Sequence, residues 1–94
     1  MDYLPTLELL ESTHAFPGPY MFKVIGAAEG GFAARVIAAV REELRINSDP
    51  PHRLQQTASG RHVSVTLEPR IENARQVIAV YDRIRDTAGL IMLW

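Results

Sequence analysis

Apolar residues recur along the chain with two different periods, and each change of period marks an element. Over residues 20–26 they alternate. Tyr20, Phe22 and Val24 share one face of an extended strand, and Met21, Lys23 and Ile25 share the other. From Gly30-Gly31 the spacing lengthens to three and four. Phe32, Val36 and Val40, with Ala33, Ile37 and Leu44, form the stripe of a helix running to about Arg45. Arg35, Arg41, Glu42 and Arg45 fall mostly on its wet side, and the loop Asn47-Ser48-Asp49-Pro50-Pro51 follows.

Alternation returns over residues 53–58 and 61–67, which flank Ser59-Gly60 as a two-residue hairpin turn. Symmetric pairing about that turn sets His52 opposite Leu67, and Leu54 opposite Val65 on the buried face. It sets Gln55 opposite Ser64 and Thr57 opposite His62 on the polar face, with Gln56 opposite Val63 as the one misfit. Pro69 donates no ladder hydrogen bond, so regular pairing is expected to end near Glu68. A second helix runs from Asn73 to about Thr87. Asn73 and Gln76 fit a capping box, and Ala74, Val77, Ile78, Tyr81 and Ile84 make its stripe. After Gly89, Leu90, Ile91, Met92, Leu93 and Trp94 read as a final apolar strand.

The order is strand, helix, strand, strand, helix, strand. Two apolar stripes must be buried on the apolar face of one sheet, and short right-handed connections leave one economical topology. The expectation is therefore an α+β, ferredoxin-like βαββαβ sandwich. Its four-stranded antiparallel or mixed sheet has order 4-1-3-2, with two helices on one face. Residues 20–94 make up this domain. Residues 1–19 read as an acidic N-terminal extension in which Leu7 and Leu10 share a face of one or two helical turns, ahead of Pro17-Gly18-Pro19.

Composition narrows the chemistry. The 94 residues carry ten basic and eleven acidic side chains, a net charge of −1, which disfavours a nucleic-acid binder driven by bulk charge. There is no cysteine, so disulfides, thiolate metal sites and cysteine catalysis are excluded for this chain. No apolar run approaches the roughly 20 residues of a membrane span, and the first residues lack a signal-peptide pattern, so a cytoplasmic protein is expected.

Individual constellations carry little chemistry. Gly26, Gly30 and Gly31 lie between strand and helix, where phosphate loops occur, but the stretch lacks a Lys-Ser/Thr pair and Glu29 would repel phosphate. His14, His52 and His62 are too dispersed for one metal ion: His52 and His62 stand roughly 16 Å apart along the sheet. His62 and Ser64 share a strand face without a third group to orient the imidazole, so no catalytic residue, metal or cofactor is expected. The polar face gathers Lys23, Arg53, Gln55, Thr57, His62, Ser64 and Thr66, with Met21 and Ile25 nearby. On the two central strands, where an RNA-recognition domain would stack bases, the positions offer Met21, Lys23, His62, Ser64 and Thr66, and the only ring is imidazole.

Three stretches carry a resemblance in order and spacing. They are Pro19-Tyr20-Met21-Phe22-Lys23-Val24-Ile25-Gly26, then Ser59-Gly60-Arg61-His62-Val63-Ser64-Val65-Thr66-Leu67, then Asn73-Ala74-Arg75-Gln76-Val77-Ile78-Ala79-Val80-Tyr81. Over about residues 17–94 the chain resembles the YbeD-like bacterial proteins, small cytoplasmic domains of unknown function. It departs from them at His62, where an aromatic is usual, and at Asn73, where Ser is frequent. The resemblance implies a ferredoxin-like fold similar to the ACT regulatory domain, with no established activity.

The expected function is a non-catalytic regulatory or interaction domain, ACT-like, that binds a small effector or a protein partner. The candidate contacts are Gly26, Gly30, Gly31, Lys23, His62 and Ser64. Nucleic-acid binding by the sheet face is the alternative. The apolar strand at residues 90–94 invites either cover by the N-terminal arm or homodimer formation, by edge pairing or through the sheet face.

Overall fold

The computed structural model describes residues 4–94. The four expected strands form β2 (Phe22–Ala27), β3 (His52–Gln56), β4 (His62–Leu67) and β6 (Leu90–Leu93). They pair in the order β3-β4-β2-β6, and every neighbouring pair is antiparallel. From the β6 edge, that is the fourth, first, third and second of the expected strands.

The two expected helices are α2 (Phe32–Leu44) and α3 (Ala74–Arg85). Phe32, Val36, Ile37, Val40 and Leu44 of α2 are buried, as the spacing requires. On α3 the buried set is Ala74, Val77, Val80, Tyr81 and Ile84, while Ile78 is half-buried. Val80 lies outside the expected stripe; it is buried because α2 and α3 pack against each other as well as against the sheet. At the start of α3 the Gln76 amide donates to Asn73 Oδ1 at 3.0 Å, as in a capping box. The reciprocal bond differs: Gln76 Oε1 accepts from the Glu72 amide at 2.7 Å, one residue earlier than the motif prescribes.

The hairpin has the expected register, with Leu54 opposite Val65, Gln55 opposite Ser64 and His52 opposite Leu67. Its connection is longer than two residues. Thr57 donates to the His62 carbonyl at 2.9 Å, and Gly60 donates back to the Thr57 carbonyl at 2.9 Å. Four residues therefore bridge the strands, with Gly60 at φ 76, a conformation that glycine adopts without penalty.

Burial on this hairpin departs from expectation. All five residues of β3 are exposed, and Leu54 is 52% exposed although its partner Val65 is fully buried. The physical reason is coverage: α2 reaches β2 and β4, which leaves the outer edge strand without a helix over it.

The ladder between β2 and β4 breaks at Pro69 and then resumes in unbroken register. Phe22 pairs with Leu67; beyond the break, Pro19 pairs with Arg70 and Gly18 with Ile71. The resumed pair forms β1 (Gly18–Pro19) and β5 (Arg70–Ile71), so Pro69 interrupts the pairing rather than ending it. Residues ahead of it form α1 (Leu7–Thr13), capped by Thr6 Oγ1, which accepts from the Leu9 amide at 3.1 Å.

This segment joins the common core. Leu10 is 1% exposed, and Leu4, Leu7 and Phe16 pack against the same core. A run of rings continues the contact: His14 lies 5.0 Å from Tyr20, Tyr20 4.9 Å from Phe22, and Phe22 4.9 Å from Tyr81. The Tyr20 and Tyr81 hydroxyls share a hydrogen bond at 3.0 Å. Burial, reinforced by that bond and by the Tyr20 charge, pushes the Tyr81 phenol above the usual range.

Candidate functional site

The helices cover one face of the sheet, and the other is open. Alternation along β2 and β4 buries Phe22, Val24, Val63, Val65 and Leu67 on the covered side. Lys23, Ile25, His62, Ser64 and Thr66 therefore stand on the open side.

Antiparallel pairing arranges the open face in rungs. In the first, Arg53 pairs with Thr66, Thr66 with Lys23, and Lys23 with Trp94. The last pairing rests on two backbone hydrogen bonds, Lys23 N–H to the Trp94 carbonyl at 2.7 Å and Trp94 N–H to the Lys23 carbonyl at 2.8 Å. The second rung runs Gln55, Ser64, Ile25, Met92, and the third joins Thr57, His62 and Ala27. A shallow groove is lined by Lys23, Arg53, Leu54, Gln55, Ser64 and Thr66. Arg53 and Lys23 flank Thr66 across two strand spacings, about 10 Å between their backbones.

Sequence reasoning missed the indole. Leu93 pairs with Val24 on the covered side, so Met92 and Trp94 must face the open side. A bulge between Ile25 and Gly26 leaves Ile91 as the extra residue of β6, and Ile91 lines the open face beside Ala27 and His62. Ile91 and Met92 are each 53% exposed, and Trp94 is 48% exposed. Trp94 thus adds a ring on the edge strand β6, while on the central strands β2 and β4 the His62 imidazole is the one ring on the open side, as expected. The last five residues are all apolar, so nothing in their order marks which of them face the open side until the register against β2 is fixed. Among the described residues of the arm, α1 packs against α3.

The six candidate contacts separate into three places. Lys23 and Ser64 line the groove just described. His62 lies at the far end of the face, in a depression with Glu29, Arg61 and Ile91.

The glycines belong elsewhere. Gly26 is buried on the covered side, where an added Cβ would lie 2.2 Å from the Phe32 ring, so its role is to admit that ring. Gly30 and Gly31 take left-handed conformations ahead of α2. Arg35 spans this loop, donating to the Gly30 carbonyl and, at 2.8 Å, to the Ala88 carbonyl. That ties the β2–α2 and α3–β6 connections together.

Charges differ between the faces. Around the helices Arg41 pairs with Asp49 at 2.5 Å, and Arg83 pairs with Glu42 at 2.9 Å and Glu43 at 3.4 Å. Among the described residues Lys23, Arg53 and Arg61 have no ion-pair partner. The histidines are dispersed: His14 stacks in the arm, and the ring of His52 meets the Pro50 carbonyl at 2.8 Å. No helix among the described residues is long and apolar enough to cross a membrane.

A model of the family described as "Protein of unknown function (DUF493)" matches residues 11–94. That span begins within α1 and covers the stretches that carry the YbeD-like resemblance. No curated protein matches the chain.

Proposed function

The chain belongs to the DUF493 family, whose description assigns no activity, and from its surface we propose that it is a non-catalytic recognition domain working through the open face of its sheet. Such a domain holds a small effector or a protein partner, in the regulatory manner of the ACT domain whose fold it resembles. The observation that carries this reading is the asymmetry of the layer. One face is sealed by two helices, and the other presents unpaired cations, hydroxyls and half-exposed apolar side chains on adjoining rungs. A surface with no structural task that keeps Trp94, Met92 and Ile91 in water is a surface suited to binding.

Catalysis has less support. Ser64 and His62 sit on successive rungs opposite Ile25 and Ala27, and among the described residues no hydrogen bond joins or orients their side chains. Self-association through β6 is supported by the same exposed apolar residues. Three half-exposed side chains alone fall short of the roughly 800 Å² per partner of a stable interface.

A photo-crosslinking amino acid placed at Ser64, and separately at Arg75 on the exposed side of α3, tests the proposal in growing cells. The expected result is a discrete adduct from position 64 and none from position 75, with the adduct mass identifying an effector, a partner or a second copy. No adduct from position 64, or equal adducts from both, would overturn it.

A further inference from the structure

The first rung sets two unpaired cations about a hydroxyl and ends on an indole, in the order Arg53, Thr66, Lys23, Trp94. We propose that this rung and its groove bind a nucleotide unit, with the phosphate between Arg53 and Lys23 and the base against Trp94. The inference rests on the open face being the recognition surface and adds the chemical class of what it recognises.

The chemistry follows from the side chains. An anion gains most from cations that are not already neutralised, and among the described residues neither Lys23 nor Arg53 has a carboxylate partner. Thr66 supplies a hydroxyl donor between the two cations, and Ser64 lines the same groove one rung along. Arg53 presents a planar fork of donors suited to phosphate, and Lys23 adds a compact charge.

Trp94 is one strand beyond Lys23, and neighbouring strands lie about 4.8 Å apart. The phosphate position over Thr66 is two strands from Trp94, about 10 Å, a gap that a nucleotide's sugar and base extend across, and the half-exposed indole offers a face for stacking. Glu68 is exposed one position past Leu67, on the open side by alternation, and opposes the anion. Net charge of −1 does not argue against such a site, because the field at a groove is set by its nearest charges.

Trp94 is the chain's single tryptophan, so its fluorescence reports this rung alone. The intact protein is titrated with adenosine monophosphate, with inorganic phosphate as competitor, and with a ten-residue single-stranded oligonucleotide. Saturable quenching is expected with a midpoint below about 1 mM. Lys23→Ala and Arg53→Ala should each raise that midpoint tenfold or more, and Glu68→Gln should lower it.

Quenching by both nucleotide ligands identifies a mononucleotide site. Quenching by the oligonucleotide alone, falling steeply with salt, identifies a single strand as the source; either result supports the proposal. No saturable quenching by either ligand overturns it, as does quenching that the Lys23 and Arg53 variants leave unchanged. If position 64 still crosslinks a partner after such a failure, the recognition face stands and only the ligand class falls.

Discussion

The two faces of the sheet are built from alternate residues of the same strands, yet they do opposite work. On the covered side, Phe22, Val24, Val65 and Leu67 are fully buried beneath Phe32, Val36, Val77 and Ile84. On the open side, the residues between them include Lys23, Ser64 and Thr66, with Trp94 beside Lys23 on the neighbouring strand. Nothing in the local backbone distinguishes Val65 from Ser64; the helices do. The lesson is that stability and recognition are separated here by a single step along the strand. Substitutions one residue apart should therefore fall into different classes.

The largest expected effect is on the covered side. Phe32→Ala removes the ring that sits over Gly26 and should cost about 3–5 kcal/mol in chemical denaturation, a large share of the stability of a domain this size. A cost below about 1 kcal/mol would mean that the ring is not held there.

Next comes a paired test within one hairpin. Leu67→Ala should cost about 2–5 kcal/mol, whereas Leu54→Ala should cost under about 1 kcal/mol, because Leu54, although central in its strand, is half in water already. Equal losses would show that β3 is covered in solution. Leu10→Ala extends the comparison to the arm. A loss of about 2–5 kcal/mol by the same assay makes α1 a working part of the core, and no loss makes it a passenger.

A smaller effect depends on pH. The Tyr81 phenol is raised in the folded protein, so its contribution is fully present below the ordinary phenol value of about 10 and is lost as pH rises past it. Stability of the native protein should decline above that point, and Tyr81→Phe should flatten the decline. An identical profile in both would reject the role given to the Tyr20–Tyr81 contact. The smallest effect lies at Arg45, which ends α2 at φ 55. Arg45→Gly should stabilise by about 0.5–1 kcal/mol through relief of the left-handed conformation.

Much of the covered side was legible in the sequence, because burial on both a strand and a helix writes a period. The α2 stripe from Phe32 to Leu44 and the hairpin register that sets Leu54 against Val65 follow from spacing alone. What escaped depends on how far one element reaches over another. Leu54 has the pattern of a buried residue but lies beyond the edge of α2, and Val80 has the pattern of a flank but meets the other helix. Leu10 sits in a segment whose few turns gave no long period, and its burial follows from contact with α3.

The candidate site was half legible. Lys23, Ser64 and Thr66 were placed on one face by alternation, and the structure places them together in a groove. Trp94 was missed because an apolar run of five residues has no visible parity until its partner strand and the bulge at Ile25/Gly26 fix the register. Gly26 was named as a candidate ligand contact because it lies between strand and helix. A glycine between strand and helix reads as a loop for ligands, but here the missing side chain makes room for Phe32.

The separation of the two faces is tested most directly by replacing Lys23, Arg53 and Trp94 with alanine together and following melting temperature and position-64 crosslinking on the same protein. The expected result is a melting point within about 8 °C of the native value, equivalent to roughly 1 kcal/mol, with the adduct abolished. A protein that no longer folds, or an adduct that survives the three substitutions, would contradict the claim that the open face recognises and the covered face stabilises.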